Sequence, residues 1–156
     1  MITKMKYFVL FVALAFIVIG CGDDDLPEVT PHKAPAQALK ETSWKLVGII
    51  DAQTGSLTEL EPRDCEVCYT LMFDTDTTFM SSSSVKNSLG GTYTYNYKMH
   101  SFRIIEYESI LFLEREDGVL WKSILLTVNA FTLLEDELRL YYNENKNYLL
   151  FKSQSK

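Results

Sequence analysis

Two cysteines three positions apart, in Cys65-Glu66-Val67-Cys68, form the sharpest chemical motif in the body of this chain. A C-x-x-C pair can run thiol–disulfide exchange when its first sulfur sits at a helix N-terminus, which stabilises the thiolate. Here the motif leads into Tyr69-Thr70-Leu71-Met72-Phe73, which reads as a strand, so that geometry is not expected. A zinc site needs about four ligands. Only His32 and His100 could join the thiols as soft donors, and His32 lies in a proline-rich stretch. The expectation is a structural disulfide in an oxidising compartment, with free thiols, or a redox or metal role, as the alternatives.

Other residues carry less. Asp74, Asp76 and Thr78 have the spacing of calcium ligands, but an EF-hand loop needs Gly at its sixth position and Glu at its twelfth. Phe79 and Val85 stand there, so Asp74-Thr75-Asp76-Thr77 reads as a hairpin turn. Asp76-Thr77-Thr78 also resembles a short O-glycosylation acceptor of Bacteroidetes envelope proteins. Ser81 to Ser84 has no Gly-x-Ser-x-Gly context, so no nucleophile elbow is expected. His100 sits in a turn without a visible Asp or Ser partner, and no glycine loop for phosphate is present. Tyr93, Tyr95 and Tyr97 alternate onto one strand face and could form a platform for a ligand or glycan. Ordinary sheet packing is the favoured reading, because Tyr suits strands. No catalytic constellation emerges, so the chain is expected to be no enzyme, with no cofactor and no metal.

The first 25 residues are more specific. Lys4 and Lys6 precede an apolar run from Tyr7 to Ile19, followed by Gly20 and Cys21. That order is a secretory leader, and the run is shorter than the roughly 20 residues a membrane helix needs. Val18-Ile19-Gly20-Cys21 resembles the bacterial lipobox, which implies cleavage after residue 20 and acylation of Cys21. Residues 21–38 hold Pro27, Pro31 and Pro35 and read as a flexible tether, leaving residues 39–156 as the folded domain. Asp23-Asp24-Asp25 resembles the acidic lipoprotein export signals of Bacteroidetes, with Gly22 where Lys, Ser or Gln often stands. The implied location is an outer-membrane lipoprotein, at the cell surface rather than on the periplasmic face.

Charge excludes one class of partner. The chain carries −6, and loss of Lys4 and Lys6 with the leader takes it to −8. So acidic a surface, without a basic stripe, repels phosphate backbones, and nucleic acid is not expected as a partner. The expected partners are the membrane, through the lipid, and an unidentified protein or polysaccharide.

The elements that must position these residues are mostly strands. Ser43 to Asp51 alternates Trp44, Leu46 and Gly48 against Lys45, Val47 and Ile49. Tyr69 to Phe73 and Phe79 to Val85 follow, the second weakened by its serines and expected near an edge. Asn87 to Gly91 reads as a connection into Thr92–Tyr97, with Ser101–Tyr107 as its hairpin partner. The period then changes. Leu120, Trp121, Ile124, Leu125 and Val128 form one helical face, with Asp117 as expected N-cap. Strands at Glu137–Asn143 and Asn147–Lys152, joined by Glu144-Asn145-Lys146, close the chain.

This order resembles the META-domain family, typified by a bacterial heat-shock lipoprotein. The residues that carry it are Leu39 to Val47 with Trp44, then Asn87, Gly90, Gly91 and Tyr93, then the helix and the two terminal strands. The family often has Cys before the central Asn, where Lys86 stands here, and its Thr-x-x-x-Cys segment is missing. The expected fold is mainly β (α+β): a curved antiparallel sheet or partly open β-barrel with one packed helix. The resemblance implies a non-enzymatic envelope protein of interaction or structural type, with a loose link to envelope stress. The alternative is a small hydrophobic-ligand or glycan binder with a lipocalin-like barrel.

Overall fold

The computed structural model describes residues 39–110 and 112–154, all within the compact unit His32–Lys156. The expectations for the leader, Cys21, Asp23, Asp24, Asp25 and the whole tether lie outside the described residues.

Among the described residues nine strands and one helix follow in order: β1 Thr42–Asp51, β2 Leu57–Thr58, β3 Thr70–Phe73, β4 Thr78–Ser82, β5 Ser88–Asn96, β6 Ser101–Ile110, α1 Glu116–Leu125, β7 Ala130–Leu133, β8 Glu137–Tyr142 and β9 Asn147–Ser153. All pairings are antiparallel. From β3 each strand pairs with the next through β9, and β1 pairs with both β3 and β9, so the pairings close on themselves. The fold is the expected curved antiparallel sheet with one helix, in a ring-like form.

Register explains the core. Trp44, Leu71, Ser81 and Leu89 lie in one cross-strand row, all nearly devoid of exposure. A second row, Leu46, Phe151, Leu138 and Leu133, crosses the other side of the ring. These inward residues form a single apolar cluster with α1, whose Trp121, Ile124 and Leu125 face it. The Trp121 ring meets Tyr69 edge-on at 5.9 Å and Phe151 at 5.7 Å. Its indole N–H donates to Ser81 Oγ at 3.2 Å, which satisfies the one polar atom that the ring carries into the core.

Several local expectations are corrected. Strict alternation in β1 would aim Gly48 inward after Leu46. Instead the register shifts between Leu46 and Gly48, and Ile49 joins the core opposite Leu149. Gly48 is needed on the other face, because a Cβ there would lie 2.5 Å from Leu57 Cδ1 and 2.6 Å from Thr58 O. β4 is no edge strand; it lies between β3 and β5, and its buried Ser81 is the tryptophan's acceptor. Asn87 to Gly91 is not a connection throughout, since β5 already begins at Ser88.

Asp117 is not the N-cap. Arg115 holds that place without a side-chain bond, and Asp117 Oδ2 accepts from Glu61 N at 2.7 Å, docking the long loop after β2. The helix also ends at Leu125 rather than Val128, although Val128 stays buried. β2, two residues long, holds too few alternations to establish a period.

Candidate interaction surface

The inside of the ring is packed, and a recess lies on its outside. A groove of about 680 Å³ is bounded by Met80, Gly90, Glu106, Tyr107, Glu108 and Ile110, among others. Pairing register explains the shape. Met80, Gly90 and Glu108 are opposite one another across β4, β5 and β6, on the face away from the buried Leu89. The middle residue has no side chain, so the row is hollow at its centre. The rim is apolar at Met80 and Ile110 and acidic at Glu106 and Glu108.

The strand pair beneath this groove is irregular. The β5–β6 register shifts between Thr92 and Tyr93, leaving Ile105 as the extra residue on β6. Gly91 sits beside this irregularity, where a Cβ would fall 2.0 Å from Glu106 O. Only glycine fits so close an approach. At Gly90 the nearest such atom, Phe79 O, would be at an ordinary 3.6 Å.

A polar knot lies just before β5. Asn87, 3% exposed, donates from Nδ2 to Glu114 Oε2 at 2.6 Å, and Ser83 Oγ donates to the same oxygen at 2.8 Å. Asn87 Oδ1 accepts from Phe112 N at 2.7 Å. One asparagine thus pins the β4–β5 connection to the segment entering α1. The sequence singled out Asn87 only through a resemblance, and nothing in it singled out Glu114. No spacing rule links residues 27 apart.

Cys65 and Cys68 are joined in a disulfide, with Cys68 buried. Lys45, reaching from β1, donates Nζ to Cys65 O at 2.7 Å and also to Cys68 O, holding the turn closed. Burial lowers the Lys45 pKa, and the Glu66 carboxylate partly offsets this. Tyr69 follows directly, with a positive φ of 53°, and its hydroxyl donates to Glu61 O at 2.5 Å. Burial, then the Asp117 and Glu114 carboxylates, push its pKa up to about 12.

The three tyrosines do not stand clear as a platform. Tyr93 is 2% exposed, tilts against Phe73 at 4.8 Å, stacks on Phe102 at 5.4 Å, and donates its hydroxyl to Thr75 O at 2.9 Å. Burial raises its pKa, with Tyr95 and Asp76 adding to the effect. Tyr95 and Tyr97 are half-buried, edge-on to Phe131. The turn at Asp74 is organised by Thr75, whose Oγ1 accepts from Thr77 N at 3.2 Å and Thr78 N at 3.0 Å. His100 occupies a positive-φ turn position near Phe131. Among the described residues, no helix is long and apolar enough to cross a membrane.

No family model matches the chain. A Tannerella forsythia protein named "Putative lipoprotein" is 28% identical over 153 residues, covering 96% of this chain and 96% of its own. So long a match must include much of the first 38 residues as well as the ring. The crystal structure of a duf4847 family protein from Bacteroides vulgatus superposes with a TM-score of 0.60 at 14% identity, over 76% of this chain and 96% of that one. The NMR structure of a protein from Burkholderia xenovorans gives a TM-score of 0.58 at 17% identity, over 76% and 85%. At such identities the likeness is one of fold.

Proposed function

We propose that this chain is a lipid-anchored envelope protein of the outer membrane, displayed on the cell surface, which acts by interaction rather than catalysis. The anchor is Cys21, and Asp23 to Asp25 are the surface-export signal. The Tannerella forsythia relative's name supports the lipoprotein part of this reading, as does the reach of that match into the leader and tether. The order of motifs shared with META domains supports a role in the envelope and its stress responses.

One observation carries the interaction part: the recess is outside the ring, not within it. Large side chains from α1 and the strands fill the interior, among them Trp121, Tyr93, Phe73 and Phe131. A lipocalin-like binder keeps that space for its ligand, so the alternative of a hydrophobic-ligand binder draws no support from the fold. The outer groove, with its glycine floor and mixed apolar and acidic rim, suits a partner's side chains.

The test uses the intact lipidated protein in its own membranes. A photo-crosslinking residue at Gly90 should capture one defined partner, whereas the same residue at exposed Glu144 should not. Protease added to whole cells should remove the domain. A protected domain would overturn the surface location. A turnover activity in the residue 22–156 fragment that a single polar substitution abolishes would overturn the non-enzymatic reading.

A further inference from the structure

The ring has one incomplete seam. β6 and β7 are joined by the single pair Ser101–Ala130, with Phe102 N donating to Asn129 O at 3.1 Å and Phe131 N to His100 O at 2.8 Å. From Arg103 to Ile110, β6 runs on with β5 on one side and, among the described residues, no strand on the other. N–H directions alternate along a strand. Phe102 N–H faces the seam, so Ile104 N–H does too. The extra residue Ile105 shifts the alternation, and Tyr107 and Ser109 N–H then face the same way. None of these three N–H groups has a hydrogen-bond partner among the described residues.

Natural edges are usually blunted by charged side chains, Pro, bulges or short length. This one carries the bulge at Ile105 and the charges Arg103, Glu106 and Glu108, but it is long, contains no Pro, and leaves Ile105 54%, Tyr107 50% and Ile110 61% exposed. Its two faces differ. Glu106 and Glu108 share the outer face with Thr92 and Gly90, their pairing partners. Tyr107 and Ser109 lie on the inner face, where Lys122 of α1 donates to Ser109 Oγ at 3.0 Å and sits 5.6 Å from the Tyr107 ring centre. Val119, 57% exposed, is one helical step from Lys122 on the same face of α1.

We propose that β6 is a docking edge for an extended, basic polypeptide segment, which adds as a strand along residues 103–110. Backbone groups of the incoming strand satisfy Ile104, Tyr107 and Ser109. Its lysine or arginine side chains align with Glu106 and Glu108 and reach the groove over Gly90. Its alternate apolar side chains cover Tyr107 and Val119. Strand addition draws affinity from the main chain and selectivity from alternate side chains, and here the acidic outer row does the selecting. A second copy of this chain fits worse, because it would bring Glu106 and Glu108 against the same acids of a chain already at −8 once mature.

This assignment rests on the interaction reading and is tested separately from it. The probes are two end-blocked peptides, Lys-Val-Lys-Val-Lys-Val-Lys and its Glu-Val counterpart, added to the full-length lipidated protein in detergent. The basic peptide should slow amide hydrogen exchange across residues 103–110 at least tenfold, and the acidic one should not. Tyr107→Pro and Ser109→Pro remove a seam-facing donor without touching β5, and each should weaken binding at least tenfold with an unchanged circular dichroism spectrum. Should neither proline variant fold, the exposed pair Glu106→Lys with Glu108→Lys should reverse the preference toward the acidic peptide. Equal protection by both peptides would overturn the proposal. So would undiminished binding by folded proline variants, an unreversed preference, or protection that rises with protein concentration alone. If the peptides fail while the Gly90 crosslink in native membranes persists, the edge assignment falls and the interaction reading stands.

Discussion

At Gly90 an added Cβ would rest 3.6 Å from the Phe79 carbonyl oxygen, and at Gly91 it would lie 2.0 Å from that of Glu106. Two adjacent glycines therefore serve different ends. Gly90→Trp should fill the outer groove with little change in thermal stability, and it should abolish crosslinking from neighbouring Met80. Gly91→Ala should force β5 and β6 apart and cost about 1–3 kcal/mol or more, read by urea denaturation. Ser81 offers a second contrast. Ser81→Ala orphans the buried indole N–H of Trp121 and should cost about 1–3 kcal/mol. In a Trp121→Phe background, the same change should cost far less, because no donor is left to satisfy. A double-mutant cycle measures the difference. Residue identities thus suggested where hydroxyls and glycines were unusual, but not what each one met.

The loop between β2 and β3 crosses one end of the core under three restraints: the Asp117 carboxylate on Glu61 N, Lys45 on the carbonyls of residues 65 and 68, and the disulfide. The disulfide closes a very short loop, so chain entropy predicts a stabilisation of only about 2 kcal/mol. Reduction, or Cys65→Ser with Cys68→Ser, should lower the unfolding midpoint modestly and leave the ring folded. Complete unfolding on reduction would contradict this. Asp117→Asn should cost less than Asp117→Ala, because the amide oxygen can still accept from Glu61. The elements read well from sequence were those with several alternations, such as Ser43–Asp51 and Thr92–Tyr97. Those misread depended on a neighbour. The register shift at Val47 is a property of the β1–β9 pairing, and Asp117 bonds to the backbone of a distant loop rather than capping its own helix.

Across the whole domain, pH should report on closure. Tyr69 titrates near 12 when folded, against an ordinary value of about 10. Its folded pKa is raised, so the stabilisation is complete below about pH 10 and is lost as pH rises toward 12. Alkaline unfolding followed by tyrosinate absorbance should show this loss in the native chain and a smaller one in Tyr69→Phe. The proposed address is written in linear order within the first 38 residues, because a leader and a lipobox, where present, are read segment by segment. The alternation of apolar residues likewise specified a mainly β fold with one helix, since each strand and helix writes its period locally. Neither source could place Glu114 beside Asn87, put the recess outside the ring, or leave the edge of β6 without a neighbour among the described residues. Those outcomes depend on register and on closure between strands far apart in sequence, where a shift of one residue changes every cross-strand partner.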